Sequence, residues 1–249
     1  MKLITLNTWG GRVQDKLVTF LKQNLQTDTF FFQEVYNTNE AKEFVAVPCK
    51  QNYRGLFKLI SEILNLSNGY FCSVLDNIYG IASFINKDIE VINKGEFFVA
   101  KGDWHDPTDM HNRDHDRKLQ WFEIKLNNKK LLIMNVHLTH RPEGKKDSKK
   151  RVDQISTIIN FMNTFDCPKI LAGDFNLLPD TKCIEMLESY GLRNLIKKYD
   201  VRSTRTELYK KELRFADYIF VSPEIIVKDF KILQDIVSDH TPLCLDFDI

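Results

Sequence analysis

The sequence Val237-Ser238-Asp239-His240-Thr241-Pro242, read with Gly173-Asp174-Phe175-Asn176, decides how this chain is understood. In each, residues that do acid, base or amide chemistry adjoin an apolar, strand-like run. An Asp-His pair has little reason to sit there unless the fold carries it to other polar strand ends.

Working outward, the same design recurs. Lys2-Leu3-Ile4-Thr5-Leu6 ends at Asn7, and Thr29-Phe30-Phe31-Phe32 runs into Gln33-Glu34. Leu131-Leu132-Ile133-Met134-Asn135-Val136 ends at His137, and Lys169-Ile170-Leu171-Ala172 passes through Gly173 to Asp174 and Asn176. Short runs rich in β-branched and aromatic residues read as strands, and binding sites collect at strand ends. A single Asp or Asn after a strand is ordinarily a turn residue satisfying its own backbone. Recurrence changes the reading. Carboxylates, amides and imidazoles gather at these ends while hydroxyl and thiol nucleophiles do not, which points to metal-assisted attack by water.

Six segments, in chain order, resemble the motifs of the endonuclease/exonuclease/phosphatase superfamily, the DNase I-like phosphohydrolases. They are Asn7, Gln33-Glu34-Val35, Asn135-Val136-His137-Leu138, Gly173-Asp174-Phe175-Asn176, Phe215-Ala216-Asp217-Tyr218-Ile219-Phe220 and Ser238-Asp239-His240. The resemblance implies an α+β fold, a four-layer α/β/β/α sandwich, with residues 1–249 as one domain. It implies a divalent-metal-dependent phosphoesterase with Glu34 on Mg²⁺ or Mn²⁺, cations suited to hard oxygen ligands. Asn7 and Asp239 would complete or orient that shell. His240 would be general base or, when protonated, the stabiliser of a pentacovalent phosphorus, since imidazole titrates near neutral pH. Asp217 would fix its tautomer. Asp174 would position or deprotonate the water, while Asn176 and His137 would donate to phosphoryl oxygens.

Two departures bear on substrate. Thr8-Trp9-Gly10 follows the first Asn where abasic-site endonucleases carry an acid, and His137 stands where their pattern has Asn. Both move the reading toward DNase I-like, tyrosyl-DNA phosphodiesterase-like or sphingomyelinase-like members. Trp9 is a candidate for the site rim, where an indole stacks on a base or packs on a headgroup, or for the core. Arg113 and Arg117 are candidates for bidentate phosphate contacts. His105, His111 and His115, among several aspartates, match no transition-metal spacing and read as a solvated loop.

Lys+Arg at 35 against Asp+Glu at 34 gives a net charge of +1, so global charge does not select a polyanion partner. Local clusters do exist: Arg141, Lys145, Lys146, Lys149, Lys150 and Arg151 follow His137, and a second group runs from Arg193 to Arg214. Five cysteines without a Cys-x-x-Cys pair read as reduced core residues. No apolar run reaches the ~18 residues of a membrane span, and with a candidate ligand already at position 7 the expected location is cytoplasmic. The expected substrate is a phosphoester of nucleic acid, with phospholipid headgroups or phosphoinositides as rivals, acted on by a monomer. A non-catalytic binding module on the same fold is the alternative from another class. A serine or cysteine hydrolase is not expected, because no Gly-x-Ser-x-Gly elbow occurs and no Cys sits at a strand end with His.

Apolar spacing predicts a helix through Val13, Leu17, Phe20, Leu21 and Leu25, and another face through Leu56, Leu59, Ile60, Ile63 and Leu64. Strands are expected at 69–76, 78–86, 89–100, 117–126 and 130–138, the last two joined by an Asn127-Asn128 turn. Asp147 or Ser148 would cap a helix burying Val152, Ile155, Ile158, Ile159 and Met162. A helix near 180–189 and three C-terminal strands complete the chain.

Overall fold

A computed structural model of the chain describes residues 1–38, 52–65, 67–75, 77–102, 116–140 and 144–249. Its elements, in order, are β1 (Lys2–Asn7), α1 (Gln14–Gln23), β2 (Thr29–Tyr36), α2 (Leu56–Ile63), β3 (Ser67–Leu75), β4 (Tyr79–Asn86), β5 (Val91–Ala100), β6 (Arg117–Leu126), β7 (Lys129–His137), α3 (Lys149–Met162), β8 (Lys169–Asp174), α4 (Lys182–Ser189), β9 (Arg193–Asn194), α5 (Leu195–Lys198), β10 (Asp217–Val221), β11 (Ile226–Ile232) and β12 (Leu243–Asp248).

Two six-stranded sheets pack face to face, ordered β11-β12-β1-β2-β4-β3 and β5-β6-β7-β8-β10-β9. Each holds one parallel pair, β1 with β2 and β7 with β8, and the other pairings are antiparallel. A parallel pair needs a crossover, which α1 supplies in the first sheet and α3 in the second. The two halves therefore repeat one topology, a symmetry the amino-acid sequence does not display.

Alternation along the strands divides the core. Ile4, Leu6, Phe30 and Phe32 pack with Leu17, Phe20 and Leu21 of α1 and Leu56 and Ile60 of α2. Leu3 and Phe31 belong instead to the cluster shared with Ile133, Ile170 and Ile219 of the second sheet, a cluster that extends to Ile155 and Ile158 of α3 and Ile184 of α4. Helices thus cover both outer faces of an α+β sandwich.

Ser148 caps α3, accepting from the Arg151 amide. Asp147 turns away to accept from the amides of Lys182 and Cys183, and so completes the first turn of α4, whose own Thr181 makes no side-chain cap. Leu25 falls beyond the end of α1 and is 44% exposed, so the first helix is shorter than its apolar spacing suggests. The two-residue β9 and four-residue α5 are too short to leave a periodic signal. The four cysteines among the described residues are free, and no helix there is long and apolar enough to cross a membrane.

Gly173 precedes Asp174 with φ of 140°, and a Cβ at this position would lie 2.0 Å from the Val136 carbonyl oxygen of β7. Only glycine allows β7 and β8 to stay paired there. Gly173→Ala is expected to destabilise by roughly 2–3 kcal/mol. The measurement is the urea midpoint, and an unchanged midpoint would show that the strands can separate without cost.

Candidate active site

β1, β2, β7 and β8 deliver their C-terminal ends to one rim of the sandwich. β10 and β12 run antiparallel to their neighbours and deliver their beginnings to the same rim. Register places Asn7 beside Gln33, His137 beside Asp174, and Asp174 opposite Asp217. Residues far apart in the chain thereby share one space.

Asn7 is fully buried. Its Oδ1 accepts from the Trp9 amide at 3.0 Å, which turns the nitrogen outward. Nδ2 then donates to Glu34 Oε1 at 3.1 Å and to Asp174 Oδ2 at 2.8 Å. Its oxygen is thus engaged by the main chain, and its contact with both carboxylates runs through nitrogen.

Glu34 sits where the pairing of β2 with β4 is interrupted between Phe32 and Val35, with φ of 58°. The left-handed residue breaks strand alternation and aims the carboxylate at the rim. The Thr8 hydroxyl, at 3.0 Å from the carbonyls of both Gln33 and Glu34, holds the distortion. Burial, with the charges of Asp239 and Asp174 adding to it, pushes the Glu34 carboxyl up to about 7.

Asp174 lies at the centre. Its Oδ1 accepts from the Asn176 amide at 2.9 Å, and its Oδ2 lies 3.6 Å from His137 Nε2 and 3.8 Å from His240 Nε2. Asn176 has φ of 53° and donates one side-chain hydrogen to the Leu138 carbonyl. His240 Nδ1 stands 2.8 and 2.9 Å from the two oxygens of Asp217. Burial pushes this pair toward its neutral forms, His240 down to about 3 with help from Arg205 and Asp217 up to about 7.

Asp239 reveals a partner that composition could not single out. Arg205 Nη1 donates to Asp239 Oδ2 at 2.8 Å, both groups being nearly sealed from solvent. Arg205 is one of many cations in its segment, and only its pairing with His240 across an isolated β-bridge brings it here. Asp239 Oδ1 has no hydrogen-bond partner among the described residues and lies 3.8 Å from His240 Nε2. An orphan carboxylate oxygen beside a second, half-buried carboxylate is a costly arrangement without a cation, and its hard oxygens suit Mg²⁺ or Mn²⁺. Asp174, Asp217 and His240 also present ligand atoms within 4.8 Å of one another. With both Asp217 oxygens turned to His240, that trio is better suited to moving a proton.

Arg117 begins β6 and is 4% exposed; its charge is felt by Tyr79 and His140. Arg113 and the His105, His111 and His115 loop lie outside the described residues. Trp9 is half-buried at the rim with the Arg12 guanidinium 4.6 Å from its ring centroid. Two members of the basic cluster after His137 are spent on main-chain carbonyls. Lys145 donates to the carbonyls of Leu213 and Phe215, and Arg151 donates to those of Asn176, His140 and Gly144.

A sequence model described as the Endonuclease/Exonuclease/phosphatase family matches residues 4–240. No curated protein sequence matches the chain. Among solved structures it is similar to a mannosyl-6-phosphatase of Bacteroides thetaiotaomicron (19% identity, 100% of both chains, TM-score 0.74). It is also similar to the catalytic domain of human Nocturnin with bound sulfate (17% identity, 100% of this chain and 93% of that one, TM-score 0.70). A third is a humanized TDP2 from D. rerio (17% identity, 100% and 99%, TM-score 0.68). At these identities the likeness to the solved structures establishes the fold.

Burial and the neighbouring Arg117, Arg151, Lys211 and Lys145 lower His140 to about 4. A histidine with a folded value below its ordinary 6.5 takes up a proton on unfolding, so the stability it contributes is present above pH 6.5 and is lost as pH falls toward 4. His240 acts in the same sense, and the raised Glu34 and Asp217 act in the opposite one. Comparison of His140→Gln with wild type isolates one group. Between pH 7 and 4.5 the urea midpoint of the variant is expected to fall less than that of wild type, and parallel curves would refute this.

Proposed function

The chain belongs to the endonuclease/exonuclease/phosphatase family, and from that we propose that it is a divalent-metal-dependent phosphodiesterase hydrolysing nucleic acid by in-line attack of water. The observation that carries the reading is the meeting, at one rim, of the His240–Asp217 pair, Asp174 and the Glu34–Asp239 carboxylates. A phosphodiester is anionic and repels nucleophiles, so the site must supply positive charge, an activated water and donors for the phosphoryl oxygens.

Glu34 and Asp239 would hold the cation, which when bound neutralises phosphoryl charge and acidifies water. With Asp217 ionised, above its raised value of about 7, the pair keeps one proton, between His240 Nδ1 and the carboxylate. With that proton on Nδ1, the Nε2 lone pair faces Asp174 across 3.8 Å, a gap that one bridging water oxygen closes from both sides. His240 takes the proton of this water as its oxygen bonds to phosphorus and the opposite P–O ester bond breaks, the leaving oxygen departing as an alkoxide that takes its proton from solvent water. Asp174, held by Asn7 and the Asn176 amide, orients the water. His137 and the second amide hydrogen of Asn176 serve the phosphoryl oxygens. Arg205 is a positioning residue, acting through Asp239.

Nucleic acid is favoured by Trp9, an indole at the rim next to Asn7, since a stacked base gains about 1–3 kcal/mol on such a platform. The names of the similar structures include a phosphatase, so the substrate is best decided by a panel of single- and double-stranded DNA, RNA, 5′-tyrosyl DNA, sphingomyelin, phosphoinositides and sugar phosphates. With Mg²⁺, cleavage of a nucleic acid is expected, and His240→Ala or Glu34→Gln should lower kcat/KM by at least ~10²–10⁴-fold without unfolding the chain. Turnover undiminished in both variants would sink the mechanism. Cleavage of a lipid or sugar phosphate alone would retain the chemistry and overturn the substrate.

Metal loading has its own readout. Mg²⁺ is expected to raise the Tm of wild type and to leave that of Glu34→Gln/Asp239→Asn unchanged. Equal stabilisation of both would place the cation elsewhere.

A further inference from the structure

Beside the rim lies a groove of about 450 Å³ lined by His140, Gly144, Lys145, Tyr209, Lys210, Lys211, Glu212 and Leu213. That volume lies in the range of small-ligand sites. Its wall is stapled to the catalytic machinery. Lys145 reaches across to the carbonyls of Leu213 and Phe215 with its ammonium 4.8 Å from the Tyr209 ring centroid. The Arg205 guanidinium, which holds Asp239, lies 4.3 Å from the same ring. Arg214 fastens the segment by donating to the carbonyls of Arg205 and Thr206. A single guanidinium, that of Arg205, therefore separates the Tyr209 ring of the groove from Asp239 of the site, and one molecule can span the two.

The groove is positive. Lys145 contributes field, two of its three hydrogens being spent on carbonyls. Lys211 makes no hydrogen bond or ion pair with any described residue, and Lys210 reaches only the Glu207 carbonyl at 3.0 Å. Against these stands the exposed carboxylate of Glu212. Two exposed ammoniums and a half-buried aromatic ring lining the groove suit an anionic group carried by a sugar or base.

We propose that this groove binds a second phosphate of the same substrate, held by Lys210 and Lys211 while the scissile phosphate lies at the rim. The inference rests on the phosphoesterase reading and extends it: the substrate carries two phosphates, whether successive in an oligonucleotide or both on one sugar.

The test compares Lys210→Ala/Lys211→Ala and Glu212→Gln with wild type. Substrates are bis-p-nitrophenyl phosphate, with one phosphate, a 5′-phosphorylated dinucleotide and a sugar bisphosphate. The double variant is expected to raise KM for a two-phosphate substrate about tenfold more than for bis-p-nitrophenyl phosphate, and Glu212→Gln to lower it. Whichever two-phosphate substrate shows the larger change identifies the source. Calorimetric titration of pyrophosphate in EDTA needs no turnover, and its Kd should weaken about tenfold in the double variant and tighten in Glu212→Gln. If no ester is cleaved but pyrophosphate follows this pattern, the groove stands and the hydrolase reading falls. If two-phosphate KM and pyrophosphate affinity are the same in all three proteins, the groove proposal is overturned.

Discussion

The side-chain amide of Asn7 reaches a carboxylate on each sheet, Glu34 of the first and Asp174 of the second. The rest of the site depends on that contact. Two acids from different sheets repel one another and resist burial, and a donor between them offsets part of that cost. The amide can do so because the Trp9 main chain occupies its oxygen, a bond set by the turn conformation of Thr8, at φ of −81° and ψ of −5°. Local backbone geometry at the end of β1 thus sets the spacing of groups carried by β2 and β8.

Beneath this contact a layer of polar side chains joins the sheets where a sandwich would ordinarily be apolar. Gln33 donates to Asn135 at 2.7 Å and to Thr5 at 3.2 Å. Asn135 reaches the Ala82 carbonyl and the Ser83 hydroxyl, and Ser83 donates to Gln120 at 2.7 Å. A buried polar network is costly when incomplete and specific when complete. Here all its members but Gln33 Oε1 find a partner among the described residues, and the bonds pin the register of β2, β4, β6 and β7. A slip of one residue would turn Asn135 and His137 to the wrong face and bring apolar neighbours to the rim.

Buried cations extend the same logic to the connecting segments. Arg151 in α3, 1% exposed, donates to three carbonyls, including that of Asn176 in the turn after β8. Lys145 ties the segment between β7 and α3 to the one before β10. Arg205 gives Asp239 a countercharge that a surface pair could not provide, because salt and water screen exposed partners. These three residues come from the two basic clusters of the sequence, at 141–151 and 193–214.

The amino-acid sequence by itself determined the strands, their polar ends and the order of the motifs, because apolar periodicity and the residues that interrupt it are local properties. It showed Asp174, Asp217 and His240 as residues at strand boundaries and identified the family that matches residues 4–240. Only the tertiary structure decided the pairings. Asn7 and Asp174 are 167 residues apart, and Asp217 and His240 are 23 apart, so their contact follows from strand direction and register across two sheets. The choice of Arg205 among neighbouring cations, and of Asp147 as the cap of α4 in place of α3, likewise came from packing. Many sequence positions are chemically competent for those contacts, and the fold brings one of them within hydrogen-bonding distance.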